Sequence, residues 1–295
     1  MYYRRKILLA LLGALNREVT KTAFQKYLFL VSDEQEKPAY DFVPYRFGCF
    51  SFQADADKKT LTKYGYLKDQ DNWELSRRQH FLHLLKGNDG EAIYRVLDRV
   101  GKLSNRNLIR YVYRKFPYYA INSEIHRDIL NQHEQKQVDS ARPAPHKSAR
   151  LFTIGYEGQS LERYLNRLIE ENIGVLCDVR RNPVSMKFGF SKRQLQNAVQ
   201  GLGIRYVHIP ELGIESSKRR ELNSPDDYQI LFKEYTETTL AKSTGSLQDI
   251  MELVKKYHRV ALTCFEADHK SCHRCCVADA LMRHKDFHYQ VTHIW

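Results

Sequence analysis

Hydrophobic positions repeat in two ways along this chain, and the change from one to the other divides it. Up to about residue 130 the period is helical. Residues 4–15 (RRKILLALLGAL) are apolar all round after a basic start, which predicts a buried first helix. Thr20 offers an N-cap to AFQKYLFLVSDE, where Phe24, Tyr27, Leu28 and Val31 fall at helical spacing. Pro44 and Gly48 interrupt helix in the aromatic-rich YDFVPYRFGCFSF, which predicts a turn region. Ser51 caps an expected third helix over roughly 52–63, and YGYLKDQDNWELS reads as a hairpin around Asp69–Asn72. Two more helices are expected in EAIYRVLDRVGKL and NRNLIRYVYRKF. In the second, Leu108, Tyr111, Val112 and Phe116 form an apolar face, and Arg106, Arg110, Arg114 and Lys115 a basic one. Pro117 ends it.

Residues 131–150 (NQHEQKQVDSARPAPHKSAR) have few apolar positions, two prolines and no period, the pattern of a linker. From Leu151, apolar strand-like runs alternate with amphipathic helical ones. LFTIGYEG, GVLCDVRRNP, IRYVHIPELG, RVALTC and YQVTHIW are the strands; Ser160 and Ser191 are helix caps, and 214–226 is a polar segment expected to be mobile. Strands joined by helical crossovers form a parallel sheet covered on both faces. The expected architecture is therefore a mainly helical, winged-helix-like domain over 1–130, a linker over 131–150, and an α/β domain with helices on both faces over 151–295.

Composition sharpens the picture of the first half. The chain has 295 residues and a net charge of +12, and residues 1–130 hold 23 Lys and Arg against 15 Asp and Glu. That excess of eight favours a polyanionic partner, with DNA ahead of RNA. Helix, helix, turn, helix, hairpin is the order of a winged helix-turn-helix, which places a helix in the major groove. Tyr45, Arg46, Lys58, Lys59 and Lys63 would then contact phosphates, and Arg106, Arg110 and Arg114 would extend the footprint. The stretch FVPYRFGCFS with its preceding helices also resembles the Panacea-type antitoxin domains, which leaves a protein-binding role for this half open. There is no signal peptide and no apolar run of spanning length, so a cytoplasmic protein without membrane contact is expected. The six cysteines are gathered mainly in one stretch, unlike a disulfide framework.

That stretch, 259–281, runs strand, polar turn, helix. Cys272 at the predicted helix N-terminus is a candidate nucleophile, because the helix dipole, Lys270, His273 and Arg274 all favour thiolate. A buried structural thiol is the alternative. Cys264, His269, Cys272 and Cys275 form a weaker zinc candidate, so the cofactor stays open. Other strands also end in reactive side chains, and the ends of parallel strands share one edge, where ligands bind. Asp178 and Arg180, alternating with Val179, suit a general base and an anion fork, or else a structural ion pair. Glu266, His208 and Glu211 are further acid–base candidates. Tyr156, Glu157, Arg181, Lys187, Lys192, Cys264, His273, Arg274 and His293 are expected to line a substrate site.

Five segments of the second half, TIGYEG, CDVRRNPVSMKFGFSK, IRYVHIPELG, LTCFEADHKSCHR and VTHI, occur in the order and at separations that resemble the domain-of-unknown-function 488 family. Where that family follows Leu-Gly with a second glycine, this chain has Gly213-Ile214-Glu215. The resemblance implies an α/β fold and no particular reaction. Residue types then point to a nucleic-acid-directed enzyme, cleaving or modifying a nucleotide or base, an architecture that suits phage defence. The alternatives are a DNA-binding regulator that senses a ligand, metal or oxidant through its cysteines, and an antitoxin-like adaptor.

Overall fold

The computed structural model describes residues 1–145, 148–215, 218 and 225–294. The chain separates into two compact units, Met1–Arg142 and Pro143–Trp295.

In the first unit, α1 (Tyr3–Leu15) and α2 (Lys21–Glu34) are the buried centre. The Thr20 side chain accepts from Ala23 N and starts α2, as a β-region N-cap should. Between α2 and α3 (Phe52–Lys63) the expected turn region is an antiparallel hairpin, β1 (Val43–Tyr45) and β2 (Gly48–Phe50). Ser51 caps α3 by accepting from Ala54 N. Around the 69–72 turn, Leu67 bridges Leu75, and Val19 bridges Trp73. Trp73 is fully buried and stacks on Phe24 with ring centres 4.0 Å apart. Helices α4 (Asp89–Val100) and α5 (Asn105–Lys115) complete the layer that packs on α2.

The expected linker begins instead with structure. After the short α6 (His126–Ile129), Asn131 and Glu134 form a reciprocal capping box that starts α7 (Gln132–Ser140). The Asn-x-x-Glu spacing supplies two of the donors' partners at the helix start, so a sequence poor in apolar residues still folds here.

The second unit is built on five parallel strands: β3 (Arg150–Gly155), β4 (Val175–Asp178), β5 (Arg205–His208), β6 (Arg259–Cys264) and β7 (Gln290–Ile294). Their order across the sheet is β5-β4-β6-β3-β7. Connections leaving β3 and β4 run one way along the sheet; those leaving β5 and β6 run the other. Right-handed crossovers therefore put α8 (Leu161–Glu170) and α9 (Lys192–Gln200) on one face. On the opposite face lie α10 (Pro225–Tyr235), α11 (Thr244–Tyr257) and α12 (His273–Met282). The core of this second face joins Val175, Cys177 and Val179 of the β4 segment to Val260 and Leu262 of β6 and Ile250 and Val277 of the helices. Connections leave the neighbouring strands β4 and β6 in opposite directions, and the carboxyl ends of such a pair are where a doubly wound sheet opens a ligand crevice. Of the segment expected to be mobile, 216–217 and 219–224 lie outside the described residues.

A close backbone crossing fixes that end of β6. A Cβ placed on Gly155, the last residue of β3, would lie 1.8 Å from the carbonyl oxygen of Glu266. Gly155→Ala is therefore expected to force the two segments apart and cost about 2–3 kcal/mol, read as a lower urea midpoint by circular dichroism. A midpoint equal to wild type would show that the crossing is not tight.

Candidate functional site

Strand alternation sorts the strand-end residues onto two faces. Asp178 and Arg180 point to the α8/α9 side, and Val179 between them points to the other. Asp178 is fully buried and takes a bidentate fork from Arg180, Nε to Oδ1 at 2.8 Å and Nη2 to Oδ2 at 2.5 Å. The Tyr206 hydroxyl donates to the same carboxylate at 2.6 Å. Arg180 Nη1 donates to Tyr156 Oη at 2.8 Å and to the Phe190 carbonyl at 2.9 Å. Burial opposes the guanidinium charge, but the Asp178 hydrogen bonds and charge outweigh it and raise the Arg180 pKa. Tyr156 stacks flat on Phe190 with ring centres 4.2 Å apart. This network consumes the donors and acceptors that a general base and an anion fork would need. Asp178 and Arg180 form a buried pair that ties β4 to the loop before α9. Tyr206 and Phe190 were not singled out from sequence, although Tyr206 alternates with His208 on β5 and so shares its face.

His208 lies at the edge of the same face. Its Nε2 donates to the Arg180 carbonyl at 2.9 Å, so its Nδ1 is the acceptor for Lys192 Nζ at 2.9 Å. Lys187 Nζ donates to the Tyr156 carbonyl at 2.8 Å, and burial pulls its pKa below the ordinary lysine value. Arg181 and Glu211 are exposed, with Arg181 Nη1 3.4 Å from the Pro210 carbonyl. Glu157 is exposed and its Oε2 accepts from Ala267 N at 2.9 Å, pinning the loop after β6.

The thiol face is different. Cys264 ends β6 and Cys272 is the N-cap of α12; both are buried, as is His273. Cys264 Sγ lies 3.2 Å from Glu266 Oε2 and 3.5 Å from His273 Nδ1, and Cys272 Sγ is 4.0 Å from the same nitrogen. His273 Nε2 donates to the Val179 carbonyl at 3.0 Å. Arg274, also buried, donates to the carbonyls of Glu266 and Ala267 at 2.5 and 2.9 Å, so it holds the loop and not a ligand. The environment of Cys272 opposes the thiolate expected there. Burial pushes its thiol well above the ordinary value, and Cys264 and Glu266 push it further; the nearby Arg274 opposes them with less effect.

The zinc candidates divide too. Cys264 and Cys272 meet; Cys275 instead turns to Asp279, 3.9 Å from its carboxylate, and His269 stacks on His293 at 3.8 Å. His293 in turn bonds the Thr153 hydroxyl at 2.8 Å, and burial lowers its pKa, with His269 adding to the effect. His273, expected to line the substrate site and to favour thiolate at Cys272, is the imidazole that joins the thiols.

In the first unit, several residues expected to touch phosphate are otherwise engaged. Lys58 is buried and donates to the carbonyls of Gln70 and Asp71, closing the 69–72 turn from inside; it is not a surface cation. Glu134 of α7 accepts from Arg110 Nη2 at 3.0 Å and from Arg114 Nε at 3.1 Å, while Arg106 donates to the Asp128 carbonyl. Tyr45 is half-buried against Phe50 and Phe52. Arg46, Lys59 and Lys63 are exposed, with Arg46 3.8 Å from Glu124 and Lys59 3.7 Å from Asp55.

Residues 160–281 match the family described as Domain of unknown function DUF488. The match runs from the cap of α8 through α12 and so contains both the Asp178–Arg180 pair and the thiol face. No curated protein matches the chain. No helix among the described residues is long and apolar enough to cross a membrane.

The two roles separate by mutation. Asp178→Asn leaves Arg180 buried without a counter-charge and is expected to cost about 3–5 kcal/mol, against about 1 kcal/mol for Tyr206→Phe, both from urea unfolding. Asp178→Asn folding with wild-type stability would return Asp178 to the list of reactive groups.

Proposed function

We propose that the chain is a nucleic-acid-directed enzyme. Its first unit holds the polymer, and the thiol face of its second unit acts on a nucleotide or base by hydrolysis or group transfer. The observation that carries this reading is the convergence of two thiols, an imidazole and a carboxylate at the carboxyl end of β6, where the sheet changes winding direction. Glu266 is the part-exposed member and the acid–base group of the set; Cys264, Cys272 and His273 are closed around it. The basic excess of the first unit supports a polyanionic substrate. Lys59 and Lys63 on α3, with Arg46 in the turn between β1 and β2, are its exposed candidates. DNA is favoured over RNA on the reading of residues 1–130 as a winged-helix-like half.

A second reading draws on a specific feature, the near-complete burial of Cys264 and Cys272. Closed thiols suit a sensor whose state is passed to a DNA-binding half without turnover.

Full-length protein is expected to bind DNA with an affinity that falls steeply as salt rises. Lys59→Glu combined with Lys63→Glu should weaken binding by about tenfold or more and reduce the salt slope by about two. Glu266→Gln should keep binding and lose conversion of the nucleic acid, whereas conversion unchanged in this variant would point to the sensor. Affinity independent of salt for both DNA and RNA would remove the nucleic-acid reading altogether.

A further inference from the structure

The Sγ atoms of Cys264 and Cys272 and Nδ1 of His273 all lie within 4.8 Å of one another, and all three residues are buried. The imidazole has one orientation of its proton. A backbone carbonyl only accepts, so Nε2, 3.0 Å from the Val179 oxygen, carries the hydrogen, and the lone pair of Nδ1 faces the sulfurs. Metal-bound histidines are held in this way, with the second ring nitrogen donating to a carbonyl that fixes tautomer and ring plane.

The spacing agrees with a tetrahedron. With Zn–S of about 2.3 Å and Zn–N of about 2.0 Å, neighbouring sulfur and nitrogen ligands stand about 3.6 Å apart. Cys264 Sγ and Cys272 Sγ are 3.5 and 4.0 Å from His273 Nδ1, and Glu266 Oε2 is 3.2 Å from Cys264 Sγ. We infer that Cys264, Cys272 and His273 bind a thiophilic divalent cation, zinc foremost, as three protein ligands with the fourth position open. Two sulfurs and an imidazole select against magnesium and calcium, which take oxygen. On binding, the two thiols each release a proton to solvent, and the dication then faces two thiolates and one neutral imidazole. Arg274 serves the same centre from outside it, because its bonds to the Glu266 and Ala267 carbonyls hold the loop after β6 against the helix that begins at Cys272 and His273.

This inference shares its location with the proposed enzyme but does not need turnover to be tested. Elemental analysis of full-length protein is expected to find about one zinc per chain. Replacement by cobalt should give thiolate-to-metal charge-transfer absorption and the strong visible bands of a tetrahedral site. Cys272→Ser and His273→Gln should weaken cobalt binding by about 100-fold or more, while Cys275→Ser and Cys276→Ser stay within about threefold of wild type. Because substitutions in the core can unfold the unit, wild-type protein is also melted with zinc and with a chelator; the zinc form should melt higher. Any of three results overturns the site: no charge-transfer band, equal loss in Cys275→Ser, or a melting temperature indifferent to metal. Salt-dependent DNA binding with no metal bound would overturn this inference alone and leave the functional reading standing.

Discussion

Successive side chains of a strand must go to opposite faces of its sheet, and in this protein that rule decides what the strand ends can do. At the end of β4 it sends Asp178 and Arg180 to one side and Val179 to the other. The first pair meets Tyr156, Tyr206 and Phe190 and becomes a closed polar network. The Val179 peptide, between them, lends its carbonyl to His273 across the sheet. The structural network and the thiol face thus share one peptide while their side chains never mix.

The first unit shows how much of a basic charge excess can be absorbed internally. Lys26 is buried, with Nζ donating to the Phe47 and Cys49 carbonyls, and Lys58 performs the same service for the 69–72 turn. In both, burial lowers the pKa, since desolvation penalises the ammonium. Arg4 and Arg5 both close on Asp57. An ammonium aimed at turn carbonyls shapes the loop that any ligand would meet, without itself meeting the ligand.

Much of the second unit was legible because its signals are local. Five strand-like runs, serine caps and glycine turns come in a parallel-sheet order, and the polar groups at their carboxyl ends could be named from position alone. Which of those groups meet was not legible, since that depends on sheet order and on the face each strand turns to a given helix. His269 and His273 are equally plausible partners for a thiol from spacing; only the direction in which Cys272 enters α12 brings His273 to Cys264. Nor could spacing weigh the dipole at Cys272 against its desolvation, because burial is a property of the assembled layers. In the first unit the capping box at Asn131 and Glu134 was present in the sequence as Asn-x-x-Glu, but hidden by the polar composition and prolines around it.

The Gly155 crossing has a consequence for the order of folding. It joins β3 to the loop after β6, and the neighbouring bond from Ala267 N to Glu157 spans 110 residues of chain. Closing a loop of that length costs more chain entropy than closing a helical turn or the β3-α8-β4 unit. β6 must therefore be made before β3 gains its central neighbour, and Cys264 and Cys272 lie on the far side of that loop from β3. The cluster needs β6 and α12 both in place, so a chain that ends before α12 carries none of its chemistry.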